Sequence, residues 1–493
     1  MSLVNNYYST FMHIPEYIKT ILQKIKDSDF EAYLVGGSVR DLLLAKKIES
    51  SGDWDITTNA RPERILEIFP EGKYENIFGT VLVPIKNSDN ETICVAEITT
   101  YRSESGYSDM RHPDEVIFED KLENDLSRRD FTVNAMAWDY EKGEIIDLFG
   151  GQKDVKKRII RAVGEPADRF KEDALRMMRA VRFACQLNFS LEDKTVRGIK
   201  KMAGSIKFIA KERIRDEFIK ILKSACPYEG VMMLHEYKLL QYILPELSQS
   251  EGVGQNRHHV YSVFEHSVLS LKNCPNKDWR VRFAALLHDV GKPKTKKVID
   301  GQITFYNHEY VGAKMAEKIL GRLRISASDL EKISGLVRNH MFYYNVGQVT
   351  EASVRRLVSR VGRENLKDLI DLRIADRLGS GVPKAKPYKL RHLEYIMEKV
   401  QNDPISVKML KINGDYMISD LGFSPGPKMG AILDVLLSEV IEDPEKNALD
   451  FLSQRALQLE KEDLDVLRQK AREAISEKKE ADDSRLKKNY YVK

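Results

Sequence analysis

The sequence predicts an α+β protein: a small mixed-sheet head followed by a long, mostly all-α remainder. Three observations carry that reading. Residues 31–100 alternate short β-like runs with one or two helices; beyond about residue 165 helical periodicity takes over; and 493 residues exceed what one core organises, so several domains are expected. Hydrophobic residues make up 42% and charged residues 31%, the profile of a soluble, folded chain. The 79 basic and 75 acidic residues leave a formal charge of only +4. That balance neither demands nor excludes a nucleic acid, because clustering decides. No run approaches the ~18 apolar residues of a membrane span. The start "MSLVNNYYSTFMHIPEYIKT" lacks a basic-then-apolar leader, so a cytoplasmic location with no membrane partner is expected. Cys94, Cys185, Cys226 and Cys274 have no paired spacing and read as reduced, ordinary residues.

Taken in order, "AYLV" reads as a strand ending at Gly36, with a helix beginning near Ser38. "WDIT" is a short extended run, and "GTVLVPI" and "TICVAEITTY" are successive strands. "EDALRMMRAVRFACQL" and "ERIRDEFIKILKSA" are amphipathic helices, after which strand signals almost vanish. Residues 255–380 hold six of the ten histidines. "GSGVPKAKP" reads as a linker, and the chain ends in a charge-dense helix and frayed tail. The expected divisions are a head over 1–155, a helical neck and body over 156–254, the histidine-rich region over 255–384 and a helical tail over 385–493.

Asp53 and Asp55 stand two apart in an extended run and share one face of it. Carboxylates held that close repel, and a divalent cation relieves the repulsion. Glu97, flanked by apolar neighbours in a later strand, also needs a partner. Three acids on adjacent strands would hold two Mg²⁺ ions, one activating a hydroxyl and the other stabilising a leaving phosphate. Gly36 and Gly37 let the backbone approach a triphosphate at a helix start, and Arg40 adds charge-assisted bonds. Alone, a Gly-Gly is a turn and an Asp-x-Asp a polar strand. Their order is what speaks.

The stretches "LVGGSVRDLLL", "GDWDITT", "ENIFGTVLVPI", "LSRRDFTVNAMAWD", "IIDLFGGQKDV" and "RFKEDALRMMRAVRFACQL" together resemble the class II tRNA nucleotidyltransferases of the polymerase-beta-like superfamily, the bacterial CCA-adding enzymes. The resemblance covers at least residues 31–190. It implies template-independent addition of C, C and A to tRNA 3′ ends from CTP and ATP, with Mg²⁺. It assigns metal binding to Asp53 and Asp55, catalytic support to Glu97, and nucleotide contacts to Gly36, Gly37, Arg40, Arg129 and Asn134. The segment "SESGYSDMRHPDEVIF" is similar to the loop of members that add the final A. "FGTVLV" departs from the Gly, basic, Phe pattern typical of bacterial poly(A) polymerases.

Asp173 and Arg176 lie three apart in a helical pattern, which makes their side chains neighbours. An ionised carboxylate only accepts hydrogen bonds and a guanidinium only donates. Cytosine and adenine each offer an amine beside a ring acceptor and match that pair. Uracil and guanine present the reverse, at roughly 1–3 kcal/mol per mismatched group. Arg179 and Arg182 continue the row, and the resemblance places them near the nucleotide.

In the histidine-rich region the vicinal His288-Asp289 closes an apolar helix. An imidazole and carboxylate set suits a divalent transition metal. The pattern resembles the HD phosphohydrolase domain, with ligands mapping to His266, His288, Asp289 and Asp376, and His308 and His340 at positions for a second metal or substrate. Such a site implies hydrolysis of 2′,3′-cyclic phosphates or phosphate monoesters. Lys194, Arg197, Lys200, Lys201, Lys207, Lys211, Arg213, Arg215, Lys220 and Lys223 form a basic row, part solvated face and part phosphate track. Gly422, Gly426 and Gly430 read equally as a phosphate seat or a plain helical connector. Two competing readings remain: a poly(A) polymerase or A-adding enzyme, and an HD phosphohydrolase whose head merely docks tRNA. Oligomeric state is left open.

Overall fold

The computed structural model describes residues 14–44, 54–76, 79–87, 89–105, 115–255, 261–342, 345, 349–400 and 406–470. It is α+β. The head is a seven-stranded mixed sheet in the order β3-β4-β5-β2-β1-β8-β9. Its strands are β1 (Ala32–Val35), β2 (Trp54–Thr58), β3 (Lys73–Asn76), β4 (Thr80–Lys86), β5 (Thr92–Thr100), β8 (Met136–Asp139) and β9 (Glu144–Asp147). Between β5 and β8, β6 (Arg102–Ser105) and β7 (Glu115–Phe118) pair as a separate ribbon. The segment that resembles an A-adding loop lies partly outside the described residues, which resume at Glu115.

Alternation explains the sheet. Trp54 and Ile56 of β2, and Ala96 and Ile98 of β5, are buried in the head core. Their intervening residues, Asp55, Thr57, Glu97 and Thr99, therefore face the other side. β2 and β5 run parallel, whereas the other pairings in this sheet are antiparallel. The helix expected near Ser38 begins at Gly37, after Gly36 at φ +70°. Only glycine adopts that conformation without strain.

The remainder is helical, with two departures from the sequence reading. The "EDALRMMRAVRFACQL" helix is broken: one helix ends at Glu172 and the next starts at Arg176. Asp173 sits between them at φ −142°, ψ 106°, and its carboxylate accepts the Leu175 N–H at 3.0 Å. A side-chain acceptor competing with the helix ladder ends the first helix there. A hairpin, Lys297–Ile299 with Gln302–Thr304, also interrupts the helices. It turns on Asp300 (φ 49°) and Gly301 (φ 74°), and "VIDGQIT" carried that Asp-Gly signal unread.

Five helices assemble the histidine-rich region: Val263–Lys272, Trp279–Leu287, His308–Arg322, Ala327–Asn339 and Leu366–Gly379. A Cβ on Gly291 would lie 2.3 Å from the His308 carbonyl oxygen and 2.6 Å from the Gly312 nitrogen, so bare backbone is required where this turn meets the third helix. The tail has its own core, built from residues such as Ile412, Met417, Ile432, Leu436, Leu452 and Leu459. Among the described residues no helix is long and apolar enough to cross a membrane.

Gly291→Ala is expected to cost about 1–3 kcal/mol through overpacking against backbone. Gly335→Ala, in open space on a helix, should instead stabilise by about 0.5–1 kcal/mol. Urea midpoints of the two variants against the parent check both signs.

Candidate active site

The parallel register pairs Asp55 directly with Glu97, so the two acids stand side by side on one face of the sheet. Asp53 lies outside the described residues. A Cβ on Gly36 would meet Asp55 Oδ2 at 3.0 Å and Arg129 Nη1 at 3.1 Å. An acid, a guanidinium and bare backbone therefore converge where β1 passes into the helix at Gly37. This all-oxygen donor set beside a cation suits a hard divalent ion and a polyphosphate.

Arg129 is aimed by a residue that sequence reading passed over. Asp125 is fully buried; it accepts from Arg129 at 3.0 Å, from Arg128 at 2.6 and 3.0 Å, and from Thr57 at 3.3 Å. Burial pushes the Asp125 carboxyl up, but the Arg128 and Arg129 guanidiniums override it and hold it at about 2.

A second chain of bonds joins head to neck. Arg40 donates to Asn134 Oδ1 at 2.6 Å, and Asn134 to Asp130 Oδ1 at 3.3 Å. Asp130 Oδ2 accepts from Arg179 at 2.6 and 2.8 Å. Burial opposes ionisation of Asp130, yet Arg179 and Arg176 keep its carboxyl below the usual range. The Phe183 ring gathers three cations: Arg182 at 4.0 Å, and Arg40 and Arg179 each at 5.4 Å. Arg182 is in turn held by Glu217 at 2.7 Å.

The helical Asp173–Arg176 neighbourhood expected from spacing is not formed. Arg176 pairs with Glu172 at 2.5 Å and donates to the Arg128 carbonyl at 3.0 Å. Asp173 is engaged by Arg213, at 3.2 and 2.7 Å. The break at Asp173 turns its side chain out of the helical row. Of the basic row, Lys194, Lys200 and Lys220 also have acidic partners.

The histidine-rich region brings together all six residues singled out in it. Asp289 is central: its Oδ2 lies 3.2 Å from His266 Nε2 and 3.3 Å from His288 Nε2, and its Oδ1 lies 3.3 Å from His308 Nε2. His340 Nε2 is 3.8 Å from Oδ1, and Asp376 Oδ1 is 3.2 Å from His266 Nε2. His288, His308 and His340 each place Nδ1 at 2.7–2.8 Å from a backbone carbonyl three residues earlier. Those bonds put the proton on Nδ1 and leave Nε2 as a lone pair. The Nε2 atoms then face each other, at 3.0 Å for His266 and His288 and 3.3 Å for His308 and His340. The lone pairs of His308 and His340, which converge so closely, call for a cation. Two groups of three share Asp289 and have the spacing for metal ligation. Burial works against a charge on His266, but Asp289 and Asp376 raise its pKa to about 9. Buried Lys292, 2.6 Å from Asp289, was missed by the sequence reading although it follows three residues on.

Family models match three successive segments: the Poly A polymerase head domain over 32–161, the probable RNA and SrmB-binding site of polymerase A over 188–250, and the HD domain over 258–380. Fold and site thus define a nucleotidyltransferase-type head continued by an HD domain. The CCA-adding enzyme of Ligilactobacillus salivarius is 36% identical over 91% of this chain and 98% of its own. The A-adding tRNA nucleotidyltransferase of Deinococcus radiodurans is 34% identical over 82% and 90%. Among solved structures, the Bacillus stearothermophilus CCA-adding enzyme in complex with CTP aligns with a TM-score of 0.65 and 26% identity, over 90% of this chain and 98% of that one. The chain belongs to the CCA-adding enzyme family of tRNA nucleotidyltransferases. Its nucleotidyltransferase head and HD domain imply dependence on a divalent metal ion.

Removing Asp125 would strand two guanidiniums around a buried gap. Asp125→Ala should destabilise by about 3–5 kcal/mol. Because the folded pKa is depressed, that contribution is complete above the ordinary aspartate range and fades as pH falls towards about 2. Denaturation of parent and variant between neutral and acid pH reads the converging stabilities.

Proposed function

We propose that this protein adds C, C and A to tRNA 3′ ends without a nucleic-acid template. The tRNA 3′-hydroxyl attacks the α-phosphate of CTP or ATP and pyrophosphate leaves. The observation that carries this reading is the β2–β5 register, which stands Asp55 beside Glu97 at the bare Gly36 backbone, with Arg129 alongside. Asp53 and Asp55 are the residues to hold Mg²⁺, with Glu97 in support. The ions supply activation of the hydroxyl and stabilisation of charge on the leaving phosphate. Arg40 and Arg129 neutralise the triphosphate. Asp173 accepts the exocyclic amine of cytosine or adenine and Arg176 donates to the ring nitrogen, while Arg179, Arg182 and Asn134 line the nucleotide.

We divide the chain into a catalytic head over 1–155, a reading and RNA-binding neck over 156–254, an HD domain over 255–384 and a tRNA-gripping tail over 385–493, acting in the cytoplasm. Gly422, Gly426 and Gly430 support the tail's role, because a Cβ at each would meet nothing within 4 Å, leaving room for a phosphate backbone. Addition by the head and hydrolysis by the HD domain are independent activities of one chain. The convergent Nε2 lone pairs favour His266, His288, Asp289 and Asp376 as holders of a transition metal, with His308 and His340 completing a second position. Cyclic phosphates or phosphate monoesters at RNA ends are the substrates that chemistry fits.

A tRNA transcript ending at the discriminator base should gain two nucleotides with CTP alone, a third only with CTP and ATP together, and none with ATP alone. An A-adding enzyme would extend that transcript only once C-C is already present. Asp55→Ala should lower the rate at least about a hundredfold. For the HD site, His288→Ala with Asp289→Ala should abolish metal-dependent release of phosphate from RNA ends while CTP incorporation persists. Phosphatase activity surviving that pair of changes would remove the second assignment.

A further inference from the structure

The helix Tyr388–Lys399 carries none of the residues placed in either site. Its buried Leu390, Leu393 and Ile396 join the main core, apart from the tail's own. Its outer face is aromatic. Tyr388 is 64% and Tyr395 63% exposed, and half-buried His392 stands between them at helical spacings of four and three. Ring centroids lie 6.2 Å apart for Tyr388 and His392 and 6.5 Å apart for His392 and Tyr395, with tilts of 43° and 49°. Rings left in one exposed row mark a surface that a partner covers. Cations surround the row: residues 380–400 carry Lys384, Lys386, Lys389, Arg391 and Lys399 against Glu394 and Glu398 alone. Lys386 takes Glu394 at 2.6 Å, while exposed Lys384 and Arg391 have no acidic partner among the described residues.

The row begins at the rim of the histidine–aspartate cluster. The helix that carries Asp376 ends at Gly379, and a short turn leads from there to Tyr388. In that turn a Cβ on Gly381 would lie 3.7 Å from the Tyr261 ring, and Tyr261 leads into the helix that carries His266. Lys389 donates to Asn345 Oδ1 at 2.8 Å, and Asn345 follows His340 in the chain. Met341, directly after His340, is 49% exposed. Segments next to His266, His340 and Asp376 thus meet at the Tyr388 end of the row. We propose that this face is the RNA-docking surface of the HD site: unpaired nucleotides of an RNA end stack on Tyr388, His392 and Tyr395, Arg391 and Lys384 take their phosphates, and the terminal phosphate reaches the cluster. This rests on the HD site hydrolysing phosphates at RNA ends, as proposed above. Rings interleaved with cations suit a single strand, since every base has a flat face and every linkage a charge. The ring spacing is close to twice the ~3.4 Å between stacked bases, which leaves room for a base between neighbours. The uncompensated cations favour a polyanion over a second copy of this chain, which would bring like charges face to face.

The test uses the full chain with Mn²⁺ and two substrates that share one reacting group. One is a single nucleoside 2′,3′-cyclic phosphate, the other a short single-stranded oligoribonucleotide ending in one, and each is also supplied as the 3′-monophosphate. In the parent the oligonucleotide should have the lower KM. Tyr388→Ala with Tyr395→Ala should raise that KM about 10-fold or more with kcat kept. The same pair should leave the mononucleotide, and CTP incorporation into tRNA, unchanged. Tyr388→Phe with Tyr395→Phe keeps the rings and should match the parent. Arg391→Gln should raise the oligonucleotide's KM and make it less sensitive to salt. Both rings are exposed, so the alanine pair should melt with the parent; if it fails to fold, the single changes decide. Equal loss on both substrates would mean the helix only braces the HD site and would overturn the proposal. A raised KM for tRNA in CTP incorporation with hydrolysis intact would assign the face to the head's substrate. Loss of self-association in sedimentation with KM intact would assign it to a second copy. Either result overturns the proposal. If the parent hydrolyses neither substrate, the HD reading has failed and this inference goes with it. If the parent hydrolyses both and the alanine pair changes nothing, only the docking surface falls.

Discussion

The parallel pairing of β2 with β5 is the constraint on which the head depends. Side chains along a strand alternate between faces, so a one-residue slip of either strand would carry its acid into the core and bring an isoleucine or tryptophan out. Trp54, Ile56, Ala96 and Ile98 prevent that slip, because each is buried on the opposite face. The apolar half of each strand thus aligns the acidic half. Two carboxylates that would repel in solution are held adjacent by packing energy that has nothing to do with their charge, and their repulsion becomes affinity for a cation.

In the head and the helices that follow it, cationic side chains are held by acids. Arg128 and Arg129 share Asp125, Arg179 holds Asp130, Arg182 holds Glu217 and Arg213 holds Asp173. Each guanidinium is oriented by a carboxylate. The Arg40–Asn134–Asp130–Arg179 chain ties the helix that starts at Gly37 to the helix that starts at Arg176. Phe183, with three guanidiniums against its ring, is the apolar contact at that junction.

The HD cluster solves a related problem with different donors. In the head, oxygens from neighbouring strands suit a hard ion. In the helical region, backbone carbonyls fix the tautomer of three histidines, so that their free nitrogens converge on Asp289. The helices reach that geometry because glycines permit close approach, as at Gly379, where a Cβ would lie 2.3 Å from Ser270 Oγ. Two sets of donor groups thus sit on one chain, each shaped by the element type that carries it.

Much of this was legible in the residues themselves. Periodicity of two and of three to four marks strands and helices, because those periods are local properties of the backbone. The acids at 55 and 97 and the His-Asp pair at 288 and 289 stood out because each is costly without a ligand or a partner, and the glycines at 36 and 37 because they leave the backbone bare. Which carboxylate meets which arginine was not legible. Asp130 and Arg179 are 49 residues apart, Asp173 and Arg213 are 40 apart, and no local pattern encodes such a pairing. A continuous helix was expected through Asp173, yet the helix breaks there and its carboxylate takes Leu175 N–H and Arg213. The sequence by itself determined the elements and the chemistry of their side chains. Only the tertiary structure decided the partners, because burial and distance between remote residues exist only once the chain has closed on itself.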